Sequence, residues 1–268
     1  MTDRRAELAA VGVAAGYGGA PVIEALDLDI RPGGFTALLG PNGCGKSTLL
    51  RAIARLHPLE AGQVLLDGKA IASLGGKVAA RRIGLLAQGA NAPEGLTVLD
   101  LVRQGRYPHR SIFGGWTSSD QAAVDEALDL TATRPLADRP LAALSGGQRQ
   151  RAWIAMALAQ RSPILLLDEP TTYLDLAHQL DLLGLMRRLV DERGMTVVAV
   201  LHDINQAARF ADELVLLHAG RIAARGAVAE VLTPELVAHV FGVEVTLVTD
   251  PETGGPYCIP RRTLTRDA

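Results

Sequence analysis

Phe35-Thr-Ala-Leu-Leu39-Gly40-Pro41-Asn42-Gly43-Cys44-Gly45-Lys46-Ser47-Thr48 decides how the rest of the chain is read. Phe35 to Leu39 is an apolar run that stops at a glycine, as expected of a central strand covered on both faces. Gly40 to Ser47 then carries the spacing G-x-x-x-x-G-K-[ST], and Leu49, Leu50, Ile53 and Leu56 recur at helical spacing until Pro58 ends the pattern. A glycine-rich turn between a strand and a helix lets backbone N–H groups curl around phosphate oxygens, with the helix N-terminus adding positive potential. Lys46 is one of three lysines in the chain and would reach the β/γ-phosphates, while Ser47 would offer its hydroxyl to Mg²⁺. Gly40, Pro41, Asn42, Gly43, Cys44, Gly45, Lys46, Ser47 and Thr48 are therefore expected to hold a nucleotide. Cys44 reads as a small filler of the loop, with a redox role as the alternative.

Outward from this loop, short apolar runs alternate with helical patterns, the rhythm of an α/β protein with a largely parallel sheet. Before it, Val11 to Ala15 and the alternating Leu26, Leu28 and Ile30, and after it Gln63 to Leu66, read as a small antiparallel β layer. From about residue 91 to 160 the strand signal disappears: Thr97 with Asp100 and Ser118 with Gln121 mark helix starts, predicting a helical insert. Strands return at Ile164 to Leu167, Thr196 to Val200 and Leu214 to Leu217, where the core sheet is expected to be complete, and a helix is expected over Leu176 to Asp191. No internal repeat or low-complexity linker is visible, which argues for a single domain over 1–268.

Ile164-Leu-Leu-Leu-Asp168-Glu169 puts two carboxylates at the C-terminal edge of a buried strand, the edge where ligands of α/β sheets bind. A strand ending in acidic turn residues is common by itself. Beside a phosphate loop, Asp168 becomes a candidate Mg²⁺ ligand, directly or through water, and Glu169 a candidate to orient or deprotonate an attacking water.

Composition bounds the function. The chain has 268 residues, 48% of them hydrophobic, and Lys+Arg 27 against Asp+Glu 29 leaves a net charge of -2. That charge supplies no basic field for nucleic acid or an anionic membrane surface, so no nucleic-acid partner is expected. Two cysteines and an N-terminus without an apolar signal core fit a reducing cytoplasm. Strongly apolar stretches such as Ile164 to Leu167 and Val197 to Leu201 are four or five residues long, against the roughly 20 that a membrane span needs.

Leu144-Ser-Gly-Gly-Gln-Arg-Gln150 opens a further helix carrying Trp153, Ile154, Met156 and Leu158, with Ser145 and Gln148 at capping-box spacing. Two glycines in a first turn cost about 1 kcal/mol each in helix propensity, which predicts a backbone that a second phosphate contact approaches closely. With LSGGQRQ, GPNGCGKST upstream and ILLLDEP downstream, the chain resembles the ATP-binding subunit of an ABC transporter over nearly its whole length. The resemblance implies a P-loop NTPase (RecA-like) core with an N-terminal antiparallel β subdomain, a helical subdomain inserted at 91–160 and a C-terminal β tail at 240–268. It also implies ATP and Mg²⁺ as ligands and a head-to-tail dimer of two copies. In such a dimer Ser145 and Gly147 would touch the γ-phosphate bound by the partner's P-loop, and Gly146, Gln148 and Asp175 are expected among the nucleotide-binding residues beside them. Tyr17 matches the aromatic that stacks on adenine, although a tyrosine near a Gly-rich turn serves equally as a packing residue. Gln88 matches the glutamine that senses Mg²⁺ and the attacking water and passes that state to the membrane subunit. Thr171-Thr-Tyr-Leu-Asp175 matches the loop that crosses the dimer interface, and His202 the histidine that contacts the γ-phosphate; a lone histidine at a strand end is otherwise a satisfied surface or core group.

Gln104-Gly-Arg-Tyr-Pro-His109, His178-Gln179 after TTYLD, VLHDINQAARFAD at 200–212 and the tail from Val240 to Pro260 narrow the likeness to ATPases of bacterial ferric-siderophore and vitamin B12 importers. The segment SIFGGWTSSD departs from it. The implied partners are a second copy, membrane permease subunits and, indirectly, a substrate-binding protein, at the cytoplasmic face of the membrane. Ferric siderophore is the expected cargo, with vitamin B12, heme or zinc as alternatives. Arg106, Tyr107 and His109 are expected to form the surface that docks the permease. A soluble non-transport ABC ATPase, a non-hydrolysing scaffold and an exporter subunit are the competing readings; Glu169 and His202 argue against the scaffold.

Overall fold

The computed structural model describes residues 7–87, 89, 95–111 and 114–264. Two sheets and a group of helices make up its core. The first sheet, in order β2-β1-β4-β5, is antiparallel: β1 (Leu8–Ala15) lies between β2 (Ile23–Ile30) and β4 (Ala61–Leu66), and β5 (Lys69–Ala70) closes a tight hairpin on β4. Leu8 pairs with Ile30 on one side and Leu66 on the other, so three buried apolar side chains form a rung across the sheet.

The second sheet has six strands. β3 (Phe35–Leu39), β6 (Ile83–Leu86), β7 (Ile164–Asp168), β8 (Thr196–Val200) and β9 (Glu213–His218) run parallel, and β10 (Arg221–Ala227) adds an antiparallel edge, giving the order β10-β9-β3-β8-β7-β6. Every residue of β3, β7 and β8 is buried. Successive side chains on a strand point to opposite faces. Leu165 and Leu167 accordingly join the core beneath the helices, while Ile164 and Leu166 pack toward the antiparallel sheet and α1 (Lys46–Ile53). Both faces being covered is why these strands read as unbroken apolar runs.

α2 (Gly76–Ala80) precedes β6, and between β6 and β7 the described elements are helical: α3 (Val98–Gln104), α4 (Ser118–Leu130) and α5 (Gly146–Ala159), with short 3₁₀ turns. Thr97 caps α3 as the sequence predicts, in a reciprocal box with Asp100. The cap of α4 is one residue earlier than expected: Thr117, rather than Ser118, accepts from the Asp120 N–H while the Asp120 carboxylate accepts from the Thr117 N–H. α6 (Leu176–Arg193) joins β7 to β8, and α7 (Ile204–Phe210) joins β8 to β9. Residues 90–94, 112, 113 and 265–268 lie outside the described residues.

The expectation that the core sheet ends at Leu217 misses β10. Its residues alternate between exposed and half-buried, so this edge strand carries no apolar run. α8 (Val228–Val231) and α9 (Pro234–Phe241) follow, and the tail is a hairpin of β11 (Val243–Thr249) and β12 (Pro256–Thr263); Val240 and Phe241 belong to α9. Asn205 of α7 bolts this hairpin down, accepting from the Cys258 N–H at 2.7 Å and donating to the Cys258 carbonyl at 3.1 Å. Among the described residues, no helix is long and apolar enough to cross a membrane.

Candidate functional site

The loop from Gly40 to Gly45 is wedged between two strand ends. Gly40 has φ +152° and Gly45 φ +103°; a Cβ would fall 2.2 Å from the Leu217 carbonyl oxygen at the first and 2.4 Å from Ile23 Cδ1 at the second. Only glycine satisfies both the dihedral and the space. Lys46 turns back into the loop, its ammonium donating to the carbonyls of Gly40 at 2.8 Å and Pro41 at 2.9 Å, with Cys44 Sγ at 3.8 Å. Cys44 is buried beside it, in keeping with a filler. The N-cap of α1 is Gly45, which has no side chain to cap the helix, so the first-turn N–H groups, which lack intrahelical acceptors, stand at the end of the loop.

β7 ends beneath this helix. Ser47 Oγ donates to Asp168 Oδ1 at 2.6 Å, and Arg51, one turn further along α1, approaches Asp168 Oδ2 at 3.5 Å. The Asp168 side chain is fully buried, and its Oδ2 has no hydrogen-bond partner among the described residues. Glu169 follows in the left-handed region at φ 54°. That turn redirects its carboxylate off the strand axis, where His202 Nε2 lies 3.0 Å from Oε2 and Thr172 Oγ1 donates to the same oxygen at 3.3 Å.

A cavity of about 590 Å³ is lined by Tyr17, Val22, Asn42, Gly43, Gly45, Lys46, Ser47, Thr48, Glu169 and His202. Nine of these ten were expected site residues. The Tyr17 ring is 65% exposed, its hydroxyl 3.4 Å from Thr48 Oγ1 and its face tilted against the His57 ring at 4.6 Å. Gln88 lies outside the described residues.

The residues of the glycine pair stand elsewhere: none of Ser145, Gly146, Gly147 and Gln148 lines this cavity. Ser145 caps α5 in the expected box with Gln148. Gly147 also meets a neighbour of its own chain closely, whereas Gly146 has room for a side-chain carbon. A Cβ on Gly147 would sit 3.2 Å from Leu174 Cδ2, and one on Gly146 3.5 Å from Tyr173 Cβ. The start of α5 thus lies on the 171–175 loop, and Gln150 Nε2 donates to the Pro170 carbonyl at 3.0 Å. Asp175 ends that loop by capping α6; its Oδ1 accepts from the His178 N–H at 2.9 Å and lies 2.7 Å from the His178 ring, and these contacts hold the carboxyl below its ordinary pKa.

The expected docking trio divides. Arg106 is 4% exposed, its guanidinium donating to Asp120 Oδ1 at 2.9 Å and to the Ala159 carbonyl at 2.8 Å, so it braces α4 against α5. His109 faces inward to the Gln160 carbonyl at 2.7 Å, and burial lowers its pKa. Tyr107 alone of the three faces solvent, 67% exposed with Lys77 Nζ 5.0 Å above its ring. Arg51 and Thr172 were not foreseen. Arg51 had a signal, four residues beyond Ser47 on the same helix face; the Thr172 contact depends on how Glu169 turns and had none.

The family model described as ABC transporter matches residues 23–172. The ferric enterobactin transport ATP-binding protein FepC of Escherichia coli (strain K12) is 50% identical over 260 residues, 97% of this chain and 96% of that protein. The iron(3+)-hydroxamate import ATP-binding protein FhuC of Bacillus subtilis (strain 168) is 48% identical over 244 residues, 91% of each. The dimeric structure of a post-hydrolysis state of the ATP-binding cassette MJ0796, bound to ADP and Pi, is similar with a TM-score of 0.75 at 30% identity, covering 82% of this chain and 98% of that one.

Proposed function

The chain belongs to the ABC transporter family, and on that premise we propose that it is the ATPase subunit of an importer that takes up a ferric siderophore through a separate permease, working at the cytoplasmic face of the membrane with a substrate-binding protein upstream. The observation that carries the hydrolytic part is the Glu169–His202 pair, 3.0 Å apart, on the wall of the cavity that also holds Lys46 and Ser47.

Each residue's part follows from its chemistry. The α1 N-terminus and Lys46 bind the phosphates, and the exposed face of Tyr17 offers adenine a stacking partner. Ser47 and Asp168 fit a Mg²⁺ ion: both present oxygen donors, and Asp168 keeps a buried Oδ2 with no hydrogen-bond partner among the described residues. When bound, Mg²⁺ neutralises charge developing on the β- and γ-phosphate oxygens. Glu169 orients the attacking water and takes its proton as the water oxygen bonds to the γ-phosphorus and the bond to the ADP oxygen breaks. His202 holds the Glu169 carboxylate from one side and the γ-phosphate from the other. A second copy supplies Ser145 and Gly147 to the phosphate, a reading supported by neither residue lining this chain's own cavity and by the dimeric state of the MJ0796 cassette.

The cargo reading is supported by the names of two relatives, which import ferric enterobactin and iron(3+)-hydroxamate. The test is growth of a strain lacking this subunit. With iron supplied only as a siderophore chelate, growth slows, and free ferrous iron restores it. Normal chelate uptake with B12, heme or zinc uptake impaired would overturn the cargo while leaving the ATPase standing.

A further inference from the structure

His178-Gln179 and Ile204-Asn205-Gln206 have so far marked only a family likeness, yet the two glutamines meet between α6 and α7. Gln179 Nε2 donates to the Leu174 carbonyl at 3.0 Å and to the Thr171 carbonyl at 3.4 Å. Two carbonyls facing one end of the amide require the NH₂ there, which leaves Oε1 pointing the other way. Gln206 Nε2 donates to that Oε1 at 2.6 Å. Gln206 is 9% exposed, and its backbone N–H donates at 2.9 Å to Asp203 Oδ1, the cap of α7 and the residue next to His202. The contacts close a circuit. From Glu169 the path runs through His202 to Asp203, Gln206 and Gln179, into the 171–175 loop, and back through Thr172 to Glu169 Oε2.

We propose that Gln179 and Gln206 are a positioning pair that ties the 171–175 loop to the His202–Asp203 turn, so that engagement of that loop by a second copy of the chain sets where His202 stands relative to Glu169. This rests on the reading of Glu169 and His202 as the hydrolytic pair. The loop is the one against which the glycine pair of α5 packs and from which the exposed Tyr173 projects. Without the bridge, the amide contact that joins the loop to α7 is lost, and a buried amide is left without its partner. Neither glutamine lines the nucleotide cavity, so the pair acts on turnover and not on binding.

The test is steady-state ATP hydrolysis by the full-length chain assembled with its permease, for Gln179→Ala, Gln206→Ala and the double variant, alongside Glu169→Gln. Each single variant should lower kcat by roughly 2- to 30-fold, the range of couplings carried through such networks, with KM for ATP within about twofold of the wild type. Two residues acting as one unit give a double variant no slower than the worse single one. Gln206→Glu adds a second readout. Its carboxylate cannot donate to Gln179 Oε1, but its carboxylic acid can, so the ratio of its kcat to that of the wild type should rise as pH falls. Unchanged kcat in either single variant, additive losses, parallel loss of nucleotide affinity, or a pH-independent Gln206→Glu ratio would each overturn the proposal. Full hydrolysis by Glu169→Gln would instead overturn the reading on which it rests.

Discussion

Ser47 and Asp168, 121 positions apart in sequence, are joined by a 2.6 Å hydrogen bond that occupies one oxygen of the carboxylate and leaves Oδ2 with Arg51 at 3.5 Å as its nearest charge. Asp168→Asn keeps an oxygen for the Ser47 hydroxyl but puts an N–H group in place of that second oxygen. The free Mg²⁺ needed for half-maximal hydrolysis should rise by about 10- to 100-fold, a range typical of damaged metal sites. A Mg²⁺ titration of the ATPase rate measures it, and an unchanged midpoint would remove Asp168 from the metal.

Lys46 and Glu169 share a cavity but act at different stages, so their variants should differ in kind. Lys46→Ala should lose affinity for nucleotide. Glu169→Gln should bind ATP normally, lower kcat by about 10²- to 10⁴-fold, and accumulate as a nucleotide-bound dimer visible by size-exclusion chromatography. Wild-type turnover by Glu169→Gln would take the base assignment away.

Ser145 lies outside the cavity of its own chain. Ser145→Arg should therefore abolish hydrolysis while ATP binding to the isolated subunit, followed by fluorescence or calorimetry, stays within about twofold. Equal loss of binding would mean that the glycine pair serves its own chain's phosphate.

What the sequence disclosed follows burial and contiguity. β3, β7 and β8 were legible almost to the residue because both faces are covered and the apolar run is unbroken. β10 was not, since an edge strand with alternating exposure has no such run. The phosphate loop was legible because its members are consecutive and the spacing itself encodes the turn. Glu169 could be named from the end of its strand and His202 from the family resemblance, but their 3.0 Å meeting depends on a left-handed turn at Glu169 that no local pattern announces. Arg106 misled for a related reason: a guanidinium beside an aromatic reads as surface until Asp120, fourteen residues on, is seen to bury it.

That buried pair makes a stability prediction. The Thr117 hydroxyl, and then the Arg106 guanidinium, hold the Asp120 carboxyl down to about 2. A carboxylate depressed in the folded state contributes stability above its unfolded pKa of about 3.9, and loses it as pH falls toward the folded value. Denaturant midpoints should therefore drop between about pH 4 and pH 2 more steeply for the wild type than for Asp120→Asn. At neutral pH, Asp120→Ala should cost about 3–5 kcal/mol, because Arg106 is left charged and buried without its partner. A loss below about 1 kcal/mol in urea unfolding would show that the helical brace tolerates an unpaired guanidinium.

The two carbonyls that receive the Lys46 ammonium give this side chain a second office, that of a clasp on its own loop. An ammonium carries three protons on a tetrahedral head, so with two directed at Gly40 and Pro41 the third, which Cys44 Sγ accepts only weakly at 3.8 Å, can turn to an incoming anion. Arginine retains the charge, but its planar, wider fork does not match that tetrahedral arrangement in a buried seat. Lys46→Arg should consequently behave as a defect of loop shape, loosening the Gly40–Gly45 backbone to hydrogen exchange even before nucleotide is added.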